Sequence, residues 1–330
     1  MSDGISPLRQ ALWPFSLCYG VVAALRNLAF DARWRRVHRA ATPVLSVGNL
    51  SVGGTGKTPT VLWLCELLRA RGERPGVLAR GYGRAPGAKL NDEGAMLQRR
   101  LPWLLQEQDP DRVAGAARLS AQGASVIVLD DGFQHRRLHR DLDLVCVDAE
   151  LPFGNNQCLP SGDLREWPGS LRRADLVLLT RAGALTAPQL LARVRRMRQL
   201  ANKPSLPIYA CDHAPVDLLH QPAGTVLPLS RLDGAAVVLL TAVARPDSVR
   251  RTAQSLGANV VDEIRYRDHH RFTPAELAAA DAAARTHSAL LLTTEKDDAR
   301  MLDSAHERFV LRIGLHFLEG APTAHDLGLP

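Results

Sequence analysis

Residues 42–58 read TPVLSVGNLSVGGTGKT, and this stretch decides how the chain folds. Its first half, 42–50, is a short apolar run with two β-branched valines, Val44 and Val47, and reads as a buried strand. The run passes straight into Ser51-Val52-Gly53-Gly54-Thr55-Gly56-Lys57-Thr58. Beyond it, Val61, Leu64, Leu67 and Leu68 recur at helical spacing, which predicts a helix over 58–71. Strand, glycine-rich turn and helix in that order form a phosphate cradle. Backbone N–H groups and the helix N-terminus point at an anion, and the glycines let the backbone approach it. Ser51, Val52, Gly53, Gly54, Thr55, Gly56, Lys57 and Thr58 are therefore the candidate nucleotide-binding residues. Lys57 is placed to reach the β/γ-phosphates and Thr58 to ligate Mg²⁺. Ser51 stands where the strict pattern has glycine.

The same alternation continues outward. Apolar runs at 75–80, 125–130, 142–147 and 175–180 read as further strands, and 111–122 as a helix opened by acidic residues. Continuous apolar strands separated by helices indicate a parallel sheet covered on both faces. From 201 to 230 the texture changes: Pro204, Pro207, Pro215, Pro222 and Pro228 punctuate short extended pieces, read here as a connection between lobes. A second α/β pattern follows, with strands at 235–241, 259–264 and 289–294 and helices at 248–256 and 274–286. The fold class is α/β: a P-loop NTPase-type parallel core at 41–205, a smaller C-terminal α/β lobe at 206–330, and an N-terminal membrane-associated helical segment at 1–40.

A P-loop enzyme needs acid at the end of a second strand. Val126-Ile127-Val128-Leu129-Asp130-Asp131 supplies it, and Asp130 or Asp131 is the candidate Mg²⁺ ligand, directly or through water. Two acids at a strand end also suit a turn or helix cap; the upstream loop favours metal.

Composition narrows the class. The chain has 330 residues, 46% hydrophobic and 23% charged, which is ordinary globular usage and excludes a disordered or polytopic membrane protein. Lys and Arg exceed Asp and Glu by seven, so partners are expected among polyanions such as phosphates or an anionic membrane. Cysteines 18, 65, 146, 158 and 211 include no CxxC pair, which argues against a disulfide framework and fits a reducing compartment. Residues 10–25 carry no charge but fall short of the roughly 20 needed to span a bilayer. Trp13, Phe15 and Tyr19 in that run, and Arg26, Arg33, Arg35, Arg36 and Arg39 after it, suit a segment lying in a membrane interface. A buried helix or a true span are the alternatives.

Which nucleotide enzyme this is cannot be read from the loop alone. A GTPase needs an NKxD-type base reader, and Glu295-Lys296-Asp297-Asp298 has Glu where Asn belongs. A nucleic-acid motor suits the charge, yet no aromatic-basic platform for stacking bases stands out, so no nucleic-acid partner is expected. A non-catalytic nucleotide switch is the other alternative.

Several segments taken together resemble the tetraacyldisaccharide 4′-kinase family. They are 48–59 across the phosphate loop, Arg80-Gly81-Tyr82-Gly83, Asp130-Asp131-Gly132-Phe133-Gln134-His135 and Arg140-Asp141-Leu142-Asp143. Phe153-Gly154-Asn155, Leu164-Arg165-Glu166, Asp268-His269-His270-Arg271-Phe272 and Thr294-Glu295-Lys296-Asp297 follow in family order. The N-terminal apolar-basic segment also looks like the family's membrane-associated start. The resemblance implies a kinase that moves the γ-phosphate of ATP to the 4′-hydroxyl of tetraacyldisaccharide 1-phosphate, giving lipid IVA in lipid A synthesis. It implies ATP and Mg²⁺ and the cytoplasmic face of the inner membrane; a monomer is expected, though the sequence leaves the oligomeric state open.

The resemblance also assigns catalytic positions. Asp92, in Asn91-Asp92-Glu93, falls on the family's catalytic Asp, with Asn91 where the family usually has Gly. The residues alone read as first-turn acids of a helix over 93–100. His269 falls on the catalytic His and is expected to orient the Asp92 carboxylate. With the boundary at 205/206 the two lie in different lobes, so their meeting is expected on lobe closure. A metal site from Asp268, His269 and His270 is the competing reading. Arg165 is expected on a phosphate, since a guanidinium fork suits its oxygens. Arg112 and Glu166 form the next tier, with surface ion pairing the alternative for Arg112. Asp163 and Trp167 depart from the family's usual Gly-Pro-Leu-Arg-Glu-Pro loop. His135 and His139, four apart, are read as able to share a helix face.

Overall fold

The chain's apolar runs become short, fully covered strands. In the computed structural model, which describes residues 9, 11–84, 87–301 and 305–329, the order begins α1 (Trp13–Asp31), β1 (Val44–Gly48), α2 (Lys57–Ala70) and β2 (Pro75–Ala79). It continues α3 (Asp92–Arg100), β3 (Leu105–Gln108), α4 (Arg112–Ala121), β4 (Val126–Asp130), β5 (Leu142–Asp148) and β6 (Leu176–Thr180). Then come α5 (Ala187–Ala201), β7 (Ile208–Gln221), β8 (Thr225–Leu227), β9 (Ala236–Thr241), α6 (Pro246–Ser255) and β10 (Asn259–Arg265). The last are α7 (Pro274–Thr286), β11 (Leu290–Thr294), α8 (Glu295–Asp298) and β12 (Arg308–Phe317). The first eight residues and Gln10, part of the N-terminal segment read above, lie outside the described residues.

The contacts divide the chain into two compact units. The first holds Met1–Gly81, Trp103–His213 and Leu315–Pro330; the second holds Tyr82–Pro102 and Ala214–Gly314. In the first, strands run β7-β6-β5-β1-β4-β2-β3, all parallel. Strands β1, β5 and β6 are buried at every position, as a sheet covered on both faces requires. The order reverses around β1, and the C-terminal ends of β1 and β4 carry the phosphate loop and the acidic pair; open α/β sheets bind ligands at such a switch point. In the second unit, β10, β9, β11 and β12 are parallel neighbours, with β7 and antiparallel β8 completing the sheet. Its core gathers Leu232, Leu239, Leu292 and Phe309 on one face and Val238, Leu240, Phe272 and Leu277 on the other.

The proline-punctuated stretch is not a mere connection. It contains the 14-residue strand β7. Pro215 falls between that strand's registered pairings, with β6 at residues 208–210 and with β8 at 218–220. A proline there removes no donor from either ladder.

Helix α1 is built inside out. Its buried positions are Ser16, Gly20, Asn27 and Phe30. Trp13, Phe15, Leu17, Val22, Leu25 and Leu28 face outward, each more than half exposed. The inward face is held by polar contacts: Asn27 donates to Glu166 at 2.8 Å, Arg26 to the Gln134 carbonyl at 2.8 Å, and the Ser161 N–H to Ser16 at 2.8 Å. A Cβ at Gly20 would come within 2.7 Å of the Trp167 ring, so the helix seats here only with glycine. Among the described residues no helix is long and apolar enough to cross a membrane.

Candidate active site

The phosphate loop leaves β1 and enters α2 at Gly56, whose φ of 85° lies in the left-handed region. A side chain at Gly56 would be strained by that φ, and its Cβ would meet His213 Nε2 at 2.5 Å. The loop is tied down from three directions. Asn49 donates to the Thr55 hydroxyl at 2.8 Å, and the Thr180 hydroxyl to the Thr55 carbonyl at 3.0 Å. Arg181, which also binds Asp148, donates to the Gly54 carbonyl. The sequence reading missed Thr180 and Arg181; their one signal is their place at the end of β6, a parallel strand two places from β1.

The Leu164-Arg165-Glu166 segment reaches the loop through backbone pairing. Val52 N–H donates to the Asp163 carbonyl and Arg165 N–H to the Leu50 carbonyl, both at 2.7 Å. That pairing sets the Arg165 guanidinium on Asp131 at 2.6 Å. Lys57 Nζ stands 3.5 Å from the other oxygen of the same carboxylate. Burial acts to raise the Asp131 pKa, but Lys57 and Arg165 outweigh it and hold the carboxyl below its ordinary value. Asp131 Oδ1 is buried and accepts no hydrogen bond among the described residues. With Thr58 at the helix start and Asp130 ending β4, one or two carboxylates and a hydroxyl gather around the phosphate loop. That donor set fits Mg²⁺, which keeps waters and phosphate oxygens as its other ligands.

Arg112 is buried, not a surface ion-pairing residue. It donates to the carbonyls of Asp109 and Pro110, and its Nε has no partner among the described residues. Glu166 is also buried, accepting from Asn27 and from Arg173, each at 2.8 Å. His135 and His139 lie in irregular backbone between β4 and β5, outside any helix, so they share no helix face. Burial, with Arg112 next, pushes the His135 pKa down to about 4.

Asp92 opens α3. Asn91 caps the helix by accepting from Gly94 N–H at 3.0 Å, which explains why an Asn serves here. Asp92 and His269 both belong to the second unit, which corrects the expectation that they meet only on lobe closure. The excursion 82–102 leaves the first unit and returns to it, and no boundary drawn in chain order captures that. His269 Nδ1 is 3.7 Å from Asp92 Oδ2, and Arg271 is 4.0 Å from Oδ1. His269 has φ 65°, a left-handed backbone that costs a non-glycine residue on the order of 1 kcal/mol or more. His270 turns away from it, stacking on Tyr266 at 4.4 Å and bonding Glu276 at 3.0 Å, so the Asp268–His269–His270 metal reading is set aside.

The residue that touches both Asp92 and His269 is Arg300, which sequence reasoning did not single out. Its Nε donates to Asp92 Oδ2 at 2.8 Å and its Nη2 to His269 Nδ1 at 3.1 Å. The other end of α3 is clamped by the Glu295–Asp298 segment. Arg99 donates to Asp298 at 2.6 Å and Arg100 to Glu295 at 2.9 Å. The segment with the misplaced Glu is thus occupied holding the Asp92 helix. Asp298 also accepts from buried Arg308 at 2.7 Å.

The family model described as Tetraacyldisaccharide-1-P 4'-kinase matches residues 8–327. A tetraacyldisaccharide 4'-kinase from Anaeromyxobacter dehalogenans (strain 2CP-C) is 41% identical, over 96% of this chain and 88% of its own. One from Syntrophus aciditrophicus (strain SB) is 36% identical, over 90% of this chain and 85% of its own. Among solved structures, LpxK from Aquifex aeolicus in complex with ATP superposes with a TM-score of 0.75 at 28% identity, covering 94% of this chain and 96% of that one.

Proposed function

The chain belongs to the tetraacyldisaccharide-1-P 4'-kinase (LpxK) family, and from that premise we propose how its residues divide the work of transferring the γ-phosphate of ATP to the 4′-hydroxyl of tetraacyldisaccharide 1-phosphate. The observation that carries the reading is a single family match over residues 8–327 that contains both the phosphate loop and Asp92.

Phosphoryl transfer asks the protein for positioning, charge neutralisation and a proton acceptor. Residues 51–58 hold the nucleotide's phosphates with backbone N–H groups, and Lys57 offsets charge on the β/γ-phosphates. Thr58 with Asp130 and Asp131 would hold Mg²⁺, which when bound neutralises charge developing on the phosphoryl oxygens. Arg165 keeps the Asp131 carboxylate ionised and oriented. Asp92 accepts the proton of the 4′-hydroxyl as its oxygen bonds to the γ-phosphorus and the bond to ADP breaks. His269 completes the acceptor's surroundings.

The outward apolar face of α1 supports docking on a membrane surface, with the exposed Arg33, Arg35, Arg36 and Arg39 toward anionic headgroups. A lipid acceptor presented there, and ATP from the aqueous side, fit the cytoplasmic face of the inner membrane. The test is incubation in detergent with γ-labelled ATP, Mg²⁺ and tetraacyldisaccharide 1-phosphate. Label entering the lipid supports the reading; ATP hydrolysis without labelled lipid refutes it.

A further inference from the structure

Asp92 and His269 do not hydrogen-bond to one another; each hydrogen-bonds to Arg300. The Arg300 side chain is only 1% exposed. Both Nη1 donors are committed as well, to the Ala242 carbonyl at 2.9 Å and to Asp297 Oδ1 at 3.2 Å, and Nη2 also faces Asp268 Oδ1 at 4.0 Å. Asp297 is itself fixed, accepting from the Thr294 hydroxyl at 2.8 Å and from Ala242 N–H at 3.2 Å. The guanidinium is therefore locked in its plane with two of its nitrogens aimed at the two candidate catalytic side chains.

A guanidinium has donors and no acceptor. The ring nitrogen facing it must offer a lone pair, so Nδ1 of His269 is unprotonated and a neutral imidazole carries its proton on Nε2. The same logic sorts the carboxylate. Asp92 Oδ2 is occupied by Arg300 Nε, whereas Oδ1 accepts no hydrogen bond among the described residues.

We propose that Arg300 is a positioning residue that fixes both partners: it holds His269 in the Nε2–H form and leaves Asp92 Oδ1 as the oxygen that takes the acceptor's proton. The inference rests on the reading of Asp92 as proton acceptor. Through it, the Asp–His pair becomes an arginine-bridged triad, in which the imidazole does not relay the proton from Asp92. The proton leaves the substrate hydroxyl for Oδ1, the hydroxyl oxygen's electron pair forms the bond to phosphorus, and ADP leaves with the electrons of the broken bond.

The experiment uses the full chain in detergent, labelled with ¹⁵N at histidine, and His269→Gln assigns the His269 signals. At mildly alkaline pH, wild type is expected to show His269 with Nδ1 bare and Nε2 protonated. Arg300→Lys keeps the charge but lacks the planar fork, and α3 keeps its Arg99 and Arg100 anchors. It is expected to give a mixture of tautomers, with kcat for lipid phosphorylation down on the order of 100-fold and KM for ATP unchanged within about twofold. A wild-type His269 protonated on Nδ1 overturns the proposal whatever the variant does. So does an Arg300→Lys enzyme with wild-type kcat. Should Arg300→Lys fail to fold, the wild-type spectrum alone decides. Wild type with the stated tautomer but no lipid labelling would sink the kinase reading and leave the arrangement around Arg300 standing.

Discussion

Helix α1 turns its apolar side chains away from the protein, and truncating them should loosen membrane binding without loosening the fold. Phe15 and Val22 are each 65% exposed and Leu25 59%. Full burial of such a side chain is worth about 1.5–3 kcal/mol, so entering lipid should recover about 1 kcal/mol or more from each. Phe15→Ala, Val22→Ala and Leu25→Ala together should therefore cost about 3 kcal/mol of membrane affinity, roughly a 100-fold drop in partition onto vesicles. The assay is co-sedimentation with vesicles containing anionic lipid, set beside thermal unfolding in the absence of lipid. The midpoint of unfolding should move little, because exposed side chains away from packing contribute little to stability. Partition unchanged by the triple variant would refute the assignment of this face to a membrane. A large fall in the unfolding midpoint would show that the face is packed against protein.

Other perturbations follow from the same geometry. Gly56→Ala forces a Cβ to within 2.5 Å of His213 at a φ of 85°, and should cost about 1–3 kcal/mol in thermal unfolding while abolishing ATP binding by calorimetry. Asp298→Ala leaves buried Arg308 and part-buried Arg99 without their carboxylate, and should cost about 3–5 kcal/mol by denaturant titration. His135 is held at about 4 in the folded chain against an ordinary 6.5, so protonation favours the unfolded state. Its contribution is complete above pH 6.5 and is lost as pH falls toward 4, and a His135→Gln variant should show a shallower decline of stability across that window.

Much of the nucleotide half is legible in the sequence because its signals are local. A strand, a glycine-rich turn and a lysine lie within 17 consecutive residues, and the structure puts β1, the loop and α2 within a residue or two of the read bounds. The acidic pair follows the same rule at the end of β4. The Asp92 half is legible only by resemblance, since its contacts join residues far apart in the chain. Arg300 lies 208 positions from Asp92, and nothing near either one announces the bond. The allocation of 82–102 to the second unit is hidden for the same reason: it is fixed by Arg99 and Arg100 meeting Asp298 and Glu295, not by any break in composition. The charge-free run at the N-terminus shows that α1 is apolar. Which side faces inward depends on Glu166, Ser161 and Trp167, more than 100 residues away, so the burial of Ser16, Gly20 and Asn27 could not be read from periodicity. Strand β7 escaped notice because Pro215 within it, and Pro207 and Pro222 at its ends, look like loop punctuation; Pro215 falls between the residues registered with β6 and with β8.

The division of work between a phosphate-holding loop and a separate proton acceptor is tested most directly by comparing Asp92→Asn with Lys57→Ala in two readouts, ATP affinity and label transfer to tetraacyldisaccharide 1-phosphate. Asp92→Asn should bind ATP as wild type does and lose on the order of 10²–10⁴-fold in transfer, while Lys57→Ala should lose both. Transfer at the wild-type rate by Asp92→Asn would contradict the assignment of the proton to that carboxylate.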